Sequence, residues 1–254
     1  MAEVIIVPDA TEGGRVAAGL IAALVQANPR AVLGLATGST PLTTWEALEP
    51  LALDLTEVAA FALDEYIGLP VGHPESYRSV ITREVVERLG MTPELVHVPS
   101  YDGDPETAGE KYEAAIRAAG GVDLQILGIG RTGHIGFNEP GSSLASLTRV
   151  KALTRMTRED NARFFPSIDD VPVHCITQGL GTILRARRLV LLAFGSSKAS
   201  ALAKSVEGPV SSGHPGSVIQ LHPDVVVIAD EAAASELEHA EYYRFAWENH
   251  FNVG

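Results

Sequence analysis

Short apolar runs alternate with longer stretches of helical spacing along the whole chain. Strands are expected over residues 4–7, 31–36, 58–63, 95–98, 123–129, 149–153, 188–194 and 225–229. Between them, 14–26 carries Val16, Leu20 and Leu24 on one helical face, and 76–89 does the same with Val80, Val85, Val86 and Leu89. Further helices are expected from Pro41 through Leu48, over 105–119, 158–165 and 196–206, and from Glu231 onward. Pro41 suits a first helical turn, and Gly120-Gly121 and Gly208-Pro209 mark helix ends. Most of the strands are apolar throughout rather than alternating, as strands covered on both faces are. The expectation is an α/β, doubly wound, mostly parallel sheet with helices on both faces, Rossmann-like, in a single domain over residues 1–254. No repeat, low-complexity tract or linker interrupts it.

In a parallel sheet the C-terminal ends of the strands share one edge, and ligands bind there. Four expected strands run into reactive residues at that edge: Thr37-Gly38-Ser39-Thr40, Asp64-Glu65, the loop from Gly133 to Pro140, and Gly195-Ser196-Ser197-Lys198. Each is ambiguous alone, and their common placement is the stronger argument. The third is the most telling. His134 and Glu139 stand five positions apart among Gly136 and Pro140, a pattern for a loop rather than a helix. A base and a carboxylate so close together form a candidate acid/base centre.

Thr37 to Thr40 offers a glycine, hydroxyls and amides just before a helix, an anion cradle suited to phosphate. The alternative is a plain turn with Ser39 or Thr40 as N-cap. Lys198 at a helix start opposes the macrodipole, which an anion ligand would explain and a solvated surface lysine would not require. Asp64 is a candidate general base with Glu65 beside it, or a turn-capping acid. Arg163 ends a basic stretch with Arg149, Lys151, Arg155 and Arg158, most of it readable as a solvated face. His134 could equally be a satisfied structural histidine.

Composition narrows the field. A net charge of −13 and no basic stripe interleaved with aromatics argue against nucleic acid as partner. No apolar run is long enough to span a bilayer, so no membrane partner is expected. Residues 1–10 lack a basic n-region and are not read as a signal peptide. A single cysteine, Cys175, permits no internal disulfide and suits the reducing cytoplasm; within the run 173–176 it reads as a buried small hydrophobe. The eight histidines show no metal-ligand spacing, so no metal is expected. Residues 128–133 match G-x-G-x-x-G after a strand. However, Gly136 and Pro140 oppose a long helix there, and no acid falls between Glu139 and Glu159 to hold a ribose, so a nicotinamide cofactor is not expected.

These motifs, in this order, resemble those of glucosamine-6-phosphate deaminases, also called glucosamine-6-phosphate isomerases. The resemblance covers nearly the whole chain, through residues 35–41, 63–66, 73–77, 133–140, 142–144, 161–165 and 195–199. It implies conversion of glucosamine 6-phosphate and water to fructose 6-phosphate and ammonia, without cofactor. It implies Asp64 as the base moving a proton between C2 and C1, His134 as the ring opener, and Glu139 as the group that holds and polarises it. Thr37, Gly38, Ser39, Thr40, Arg163 and Lys198 would take the phosphate. Thr132 departs from the Asp or Asn that many members carry before the Gly-His, which bears on rate and pH optimum.

In hexameric, allosterically activated members, N-acetylglucosamine 6-phosphate binds at a subunit interface. The matching residues are Ser142, Ser143, Arg149 and Lys151, although the aromatic pair Tyr242-Tyr243 is out of register for it. A solvated basic strand is the other reading of Arg149 and Lys151. Three alternatives to the main function stay open: a deaminase or isomerase for another hexosamine phosphate, a 6-phosphogluconolactonase, and a non-catalytic sugar-phosphate sensor. The lactonase pattern after Gly-His, Thr-Ala-Ser-Leu-Phe, is replaced here by Ile-Gly-Phe-Asn-Glu.

Overall fold

A computed structural model describes residues 3–101 and 103–249; the first two residues of the segment read above as no signal peptide lie outside the described residues. Its main sheet has seven parallel strands. These are β1 (Glu3–Val7), β2 (Val32–Leu35), β3 (Ala59–Ala62), β5 (Val96–His97), β6 (Leu124–Gly128), β9 (Arg188–Ala193) and β10 (Val225–Asp230), in the order β1-β10-β9-β6-β2-β3-β5. From β2 the chain steps outward through β3 to β5. It then returns to β6 on the other side of β2 and steps the opposite way through β9 and β10. The direction of travel therefore reverses between β2 and β6, which are hydrogen-bonded neighbours. Residues 189–193 of β9 are fully buried, as the continuous apolar run required.

Helix α1 (Ala10–Ala27) starts four residues before the expected point, because the Asp9 side chain accepts the Glu12 N–H at 2.9 Å and caps it there. Helix α2 (Ser39–Leu48) and helix α5 (Pro105–Ala118) form close to their expected places. The helix expected over 76–89 becomes α3 (Tyr77–Ile81), a π-helical stretch (Thr82–Val86) and α4 (Glu87–Leu89). Helix α6 (Arg155–Asn161) begins three residues early, at its N-cap Thr154. Helix α7 (Leu180–Ile183) was not foreseen. The helix expected from Ser196 opens as a 3-10 turn before α8 (Ala199–Val206), and the one expected from Glu231 begins only at α9 (Ala240–Glu248).

A second, three-stranded sheet adjoins the parallel one. Asp64 and Glu65 do not end β3 in a loop. They begin β4 (Asp64–Ile67), which pairs antiparallel with β8 (His174–Thr177), and β8 pairs with β7 (Arg149–Ala152). The expected strand at 149–153 thus belongs to a small second sheet, and the apolar run around Cys175 is its central strand. Asp64 and Tyr66 face inward and their neighbours half outward, the alternation of a sheet covered on one face. Beneath it Tyr66, Phe137, Leu153, Phe165, Val171 and Cys175 form a second apolar cluster. This cluster fastens the α6 segment and the His134 loop to one support, with the Tyr66 ring 5.5 Å from Phe137 and 5.7 Å from Phe165.

Candidate active site

A cleft of about 630 Å³ opens over the ends of β2, β3, β6 and β9, at the point where the strand order reverses. Thr37, Gly38, Ser39, Thr40, Asp64, His134, Arg163 and Lys198 all line it. Glu139 and Thr132 stand just behind, reaching it through His134. A second cavity of about 410 Å³, lined in part by Glu113 and Gln125, contains none of the candidate catalytic or binding residues.

Asp64 is 5% exposed at the turn from one sheet into the other. Burial, and then the nearby Glu65 charge, push its carboxyl up to about 8 against a backbone hydrogen bond from Phe137. Gly136 lies alongside: its φ of +54° is a glycine conformation, and a Cβ there would stand 3.4 Å from Asp64 Oδ2 and 3.1 Å from Thr177 Oγ1. The His134 loop and Asp64 are therefore in direct contact. Glu65 serves differently. Its carboxylate accepts the N–H groups of Tyr66, Tyr77 and Arg78 at 2.7–2.9 Å and so ties β4 to the start of α3.

The His134 ring packs over Gly130, where any Cβ would fall 2.2 Å from it. The glycine that mimics a dinucleotide fingerprint makes room for this ring. His134 Nδ1 lies 2.8 Å from Thr132 Oγ1 and 3.4 Å from Glu139 Oε2, and Thr132 Oγ1 donates to Glu139 Oε2 at 3.2 Å. Glu139 Oε1 accepts Thr154 Oγ1 at 3.1 Å, Thr154 N at 3.3 Å and Thr157 Oγ1. Burial raises the Glu139 carboxyl, but the His134 hydrogen bond and charge, with Thr157 and Thr154, outweigh it and hold it at about 2.

A carboxylate can only accept, so the single Thr132 proton goes to Glu139 and Thr132 Oγ1 accepts from His134. In the neutral ring Nδ1 then carries the hydrogen, and Nε2 keeps a bare lone pair. The reverse tautomer would set a lone pair against the carboxylate.

The cations of the cleft and the start of α2 lie in another part of it. Helix α2 starts at Ser39 behind Gly38, with no side chain capping its first amides, so neither Ser39 nor Thr40 is the N-cap. Arg163 Nη2 donates to Ser39 Oγ at 3.1 Å, and its guanidinium lies 4.7 Å over the Phe164 ring. Burial lowers the Lys198 pKa; Asp160 works against this, and the Arg163 and Arg131 charges add to it. Cations that disfavour one another around an uncapped helix start are suited to an anion.

Arg131, paired with Asp160, was not foreseen, and only its place in the glycine-rich run hinted at it. Thr154 and Thr157 were also missed, although a threonine just ahead of a helix, as Thr154 is, is a readable N-cap. Of the basic stretch, Arg155 pairs with Glu159 on the surface, and Arg158 donates to the Val171 and Ile168 carbonyls.

Ser142, Ser143, Arg149 and Lys151 do not line the cleft. Ser142 is buried with no partner for its Oγ. Arg149 is half-buried, donates to Asn138 Oδ1 at 2.8 Å, and leaves Nη2 without a partner.

A doubly wound sheet with titratable groups, cations and an uncapped helix start at its switch point places the chain among Rossmann-like proteins, with a site whose charges would suit a small anionic ligand. Residues 10–228 match the family model of glucosamine-6-phosphate isomerases/6-phosphogluconolactonase. The chain is 56% identical to a glucosamine-6-phosphate deaminase of Bifidobacterium longum (strain DJO10A) over 97% of each chain. It is 55% identical to one of Streptomyces coelicolor over 96% of each. A solved structure of a monomeric glucosamine-6-phosphate deaminase superposes with a TM-score of 0.90 at 41% identity, covering 93% of this chain and 100% of that one. The 6-phosphogluconolactonase of Trypanosoma brucei shares the fold, with a TM-score of 0.73 at 19% identity over 93% of this chain and 99% of that one. The chain belongs to the glucosamine-6-phosphate isomerase/6-phosphogluconolactonase family.

Proposed function

We infer that this enzyme converts glucosamine 6-phosphate and water to fructose 6-phosphate and ammonia, in the breakdown of amino sugars. The carrying observation is the shared cleft. A buried carboxylate held near neutrality and a histidine with a bare Nε2 face the same space as an uncapped helix start and two cations.

Each part has a step to perform. Arg163, Lys198 and residues 37–40 hold the phosphate as a remote handle, and its binding energy orients the sugar. His134 Nε2 takes the O1 proton and returns one to O5, opening the ring, while Glu139 and Thr132 steady the imidazolium that forms. Asp64 then moves a proton from C2 to C1 through an enolamine, and water adds at C2 to release ammonia. The bound ammonium favours ionised Asp64 and so draws its pKa down as the substrate arrives.

The work is assigned to the cytoplasm, with a hexosamine phosphate as the small-molecule partner. Among the described residues no helix is long and apolar enough to cross a membrane. Ser142, Ser143, Arg149 and Lys151 are assigned to an effector phosphate; the support is the half-buried Arg149, whose Nη2 has no partner although Nη1 donates to Asn138.

The test is ammonia release across the hexosamine 6-phosphates, with hydrolysis of gluconolactone 6-phosphate as control. Glucosamine 6-phosphate should give the highest kcat/KM. Lactone hydrolysis without ammonia release would refute the assignment.

A further inference from the structure

Glu139 is 4% exposed and stands behind His134, so it acts on a ligand only through the ring. A buried carboxylate needs several donors to remain charged. Here three threonine hydroxyls and one backbone N–H supply them. Thr132 takes one oxygen, while Thr154 and Thr157 take the other. Thr157 is also 3.5 Å from His134 Nδ1 and itself lines the cleft.

The fold does not explain the Thr157 hydroxyl. Helix α6 is already capped by Thr154, whose Oγ1 accepts the Thr157 N–H at 3.2 Å. Valine would fill the same buried volume, and a β-branched residue is no better suited to a helix with a hydroxyl than without one. What the hydroxyl adds is a bond to Glu139 and an acceptor 3.1 Å from Thr154 Oγ1, which binds the same carboxylate.

We propose that Thr157, backed by the capping Thr154, is a positioning residue: it clamps the Glu139 carboxylate from the side opposite Thr132 and so fixes His134 with Nδ1 protonated and Nε2 bare towards the ligand. The kinetic part rests on the deaminase reading above, and the ring tautomer does not. With the clamp released, the carboxylate turns away from Nδ1, and the proton distributes over both ring nitrogens.

Thr157→Val tests this by steady-state kinetics and by side-chain ¹⁵N spectra of histidine-labelled protein, the His134 signals being identified by their loss in His134→Gln. A hydrogen bond to a charged group corresponds to a fall in kcat of roughly 10- to 100-fold. KM should stay within about threefold, because the phosphate contacts are untouched, and Thr157→Ser should restore kcat to within about threefold. The His134 signals should move from the Nδ1–H pattern to mixed tautomers in the valine variant and return in the serine variant. Thr157→Ala provides the same measurement if valine is not accommodated. Unchanged His134 signals in the folded valine or alanine variant overturn the clamp. If the wild type releases no ammonia, the assigned reaction falls, and the ring signals still decide the clamp.

Discussion

Replacing Asp64 by asparagine should cost activity and strengthen the fold, and the second effect should depend on pH in a defined direction. The folded carboxyl titrates near 8, against an ordinary 3.8. Between pH 4 and 8 the unfolded chain has given up this proton and the folded chain has not, so wild-type stability falls as pH rises through that window; above 8 both forms are ionised and the penalty levels off. At about 1.4 kcal/mol per pH unit, the full interval corresponds to on the order of 5 kcal/mol. Solvent in the cleft screens part of this, which leaves about 2–3 kcal/mol. Asparagine keeps the volume and can still accept the Phe137 N–H without ever carrying the charge. For a chain of this length the gain is roughly 5–10 °C in Tm at pH 9, shrinking towards zero at pH 4. Thermal unfolding of both proteins from pH 4 to 9 reads the difference directly. In parallel, turnover should fall roughly 10²–10⁴-fold, because an amide cannot take the C2 proton. A Tm difference that stays flat with pH, or an asparagine variant less stable at pH 9, would refute the account of Asp64, and near wild-type turnover would remove it from the base role.

Glu139→Gln should show the opposite pH behaviour. The carboxyl is held at about 2, so its stabilising contribution is present above the ordinary glutamate range and disappears as pH falls towards 2; denaturant titrations should find the variant weaker at pH 7 and equal to wild type near pH 2. His134→Gln should slow the closed pyranose more than an open-chain form of the substrate, and equal slowing of both would argue against a ring-opening role. Lys198→Ala and Arg163→Ala should each lose roughly 1.5–3 kcal/mol of phosphate recognition and flatten the preference for phosphorylated over free glucosamine; a preference that survives both changes would place the phosphate elsewhere. If the protein is a hexamer with sigmoidal kinetics, Arg149→Ala should abolish activation by N-acetylglucosamine 6-phosphate while leaving maximal turnover nearly intact, and hyperbolic wild-type kinetics indifferent to that compound would make Arg149 structural.

The chain by itself determined where the seven strands of the parallel sheet fall, because strands covered on both faces leave unbroken apolar runs that local pattern can detect, but it did not set the strand at 149–153 apart from them. It also determined which loops carry chemistry, since Gly, Pro, His and the acids cluster where those runs stop. Local pattern could not show that the chain leaves β3 directly into a second sheet, because pairing β4 with β8 joins residues more than 100 positions apart. That pairing buries Asp64 and so sets its proton affinity, a property of the surroundings rather than of the residue. The same limit hid Thr154, Thr157 and Arg131. Their types and spacing are ordinary, and only the packing of α6 against the His134 loop brings two hydroxyls onto Glu139 and sets Arg131 against Asp160 at the cleft. Sequence thus supplied the strands and the reactive side chains, while long-range pairing and burial decided which of them meet and what charge they carry.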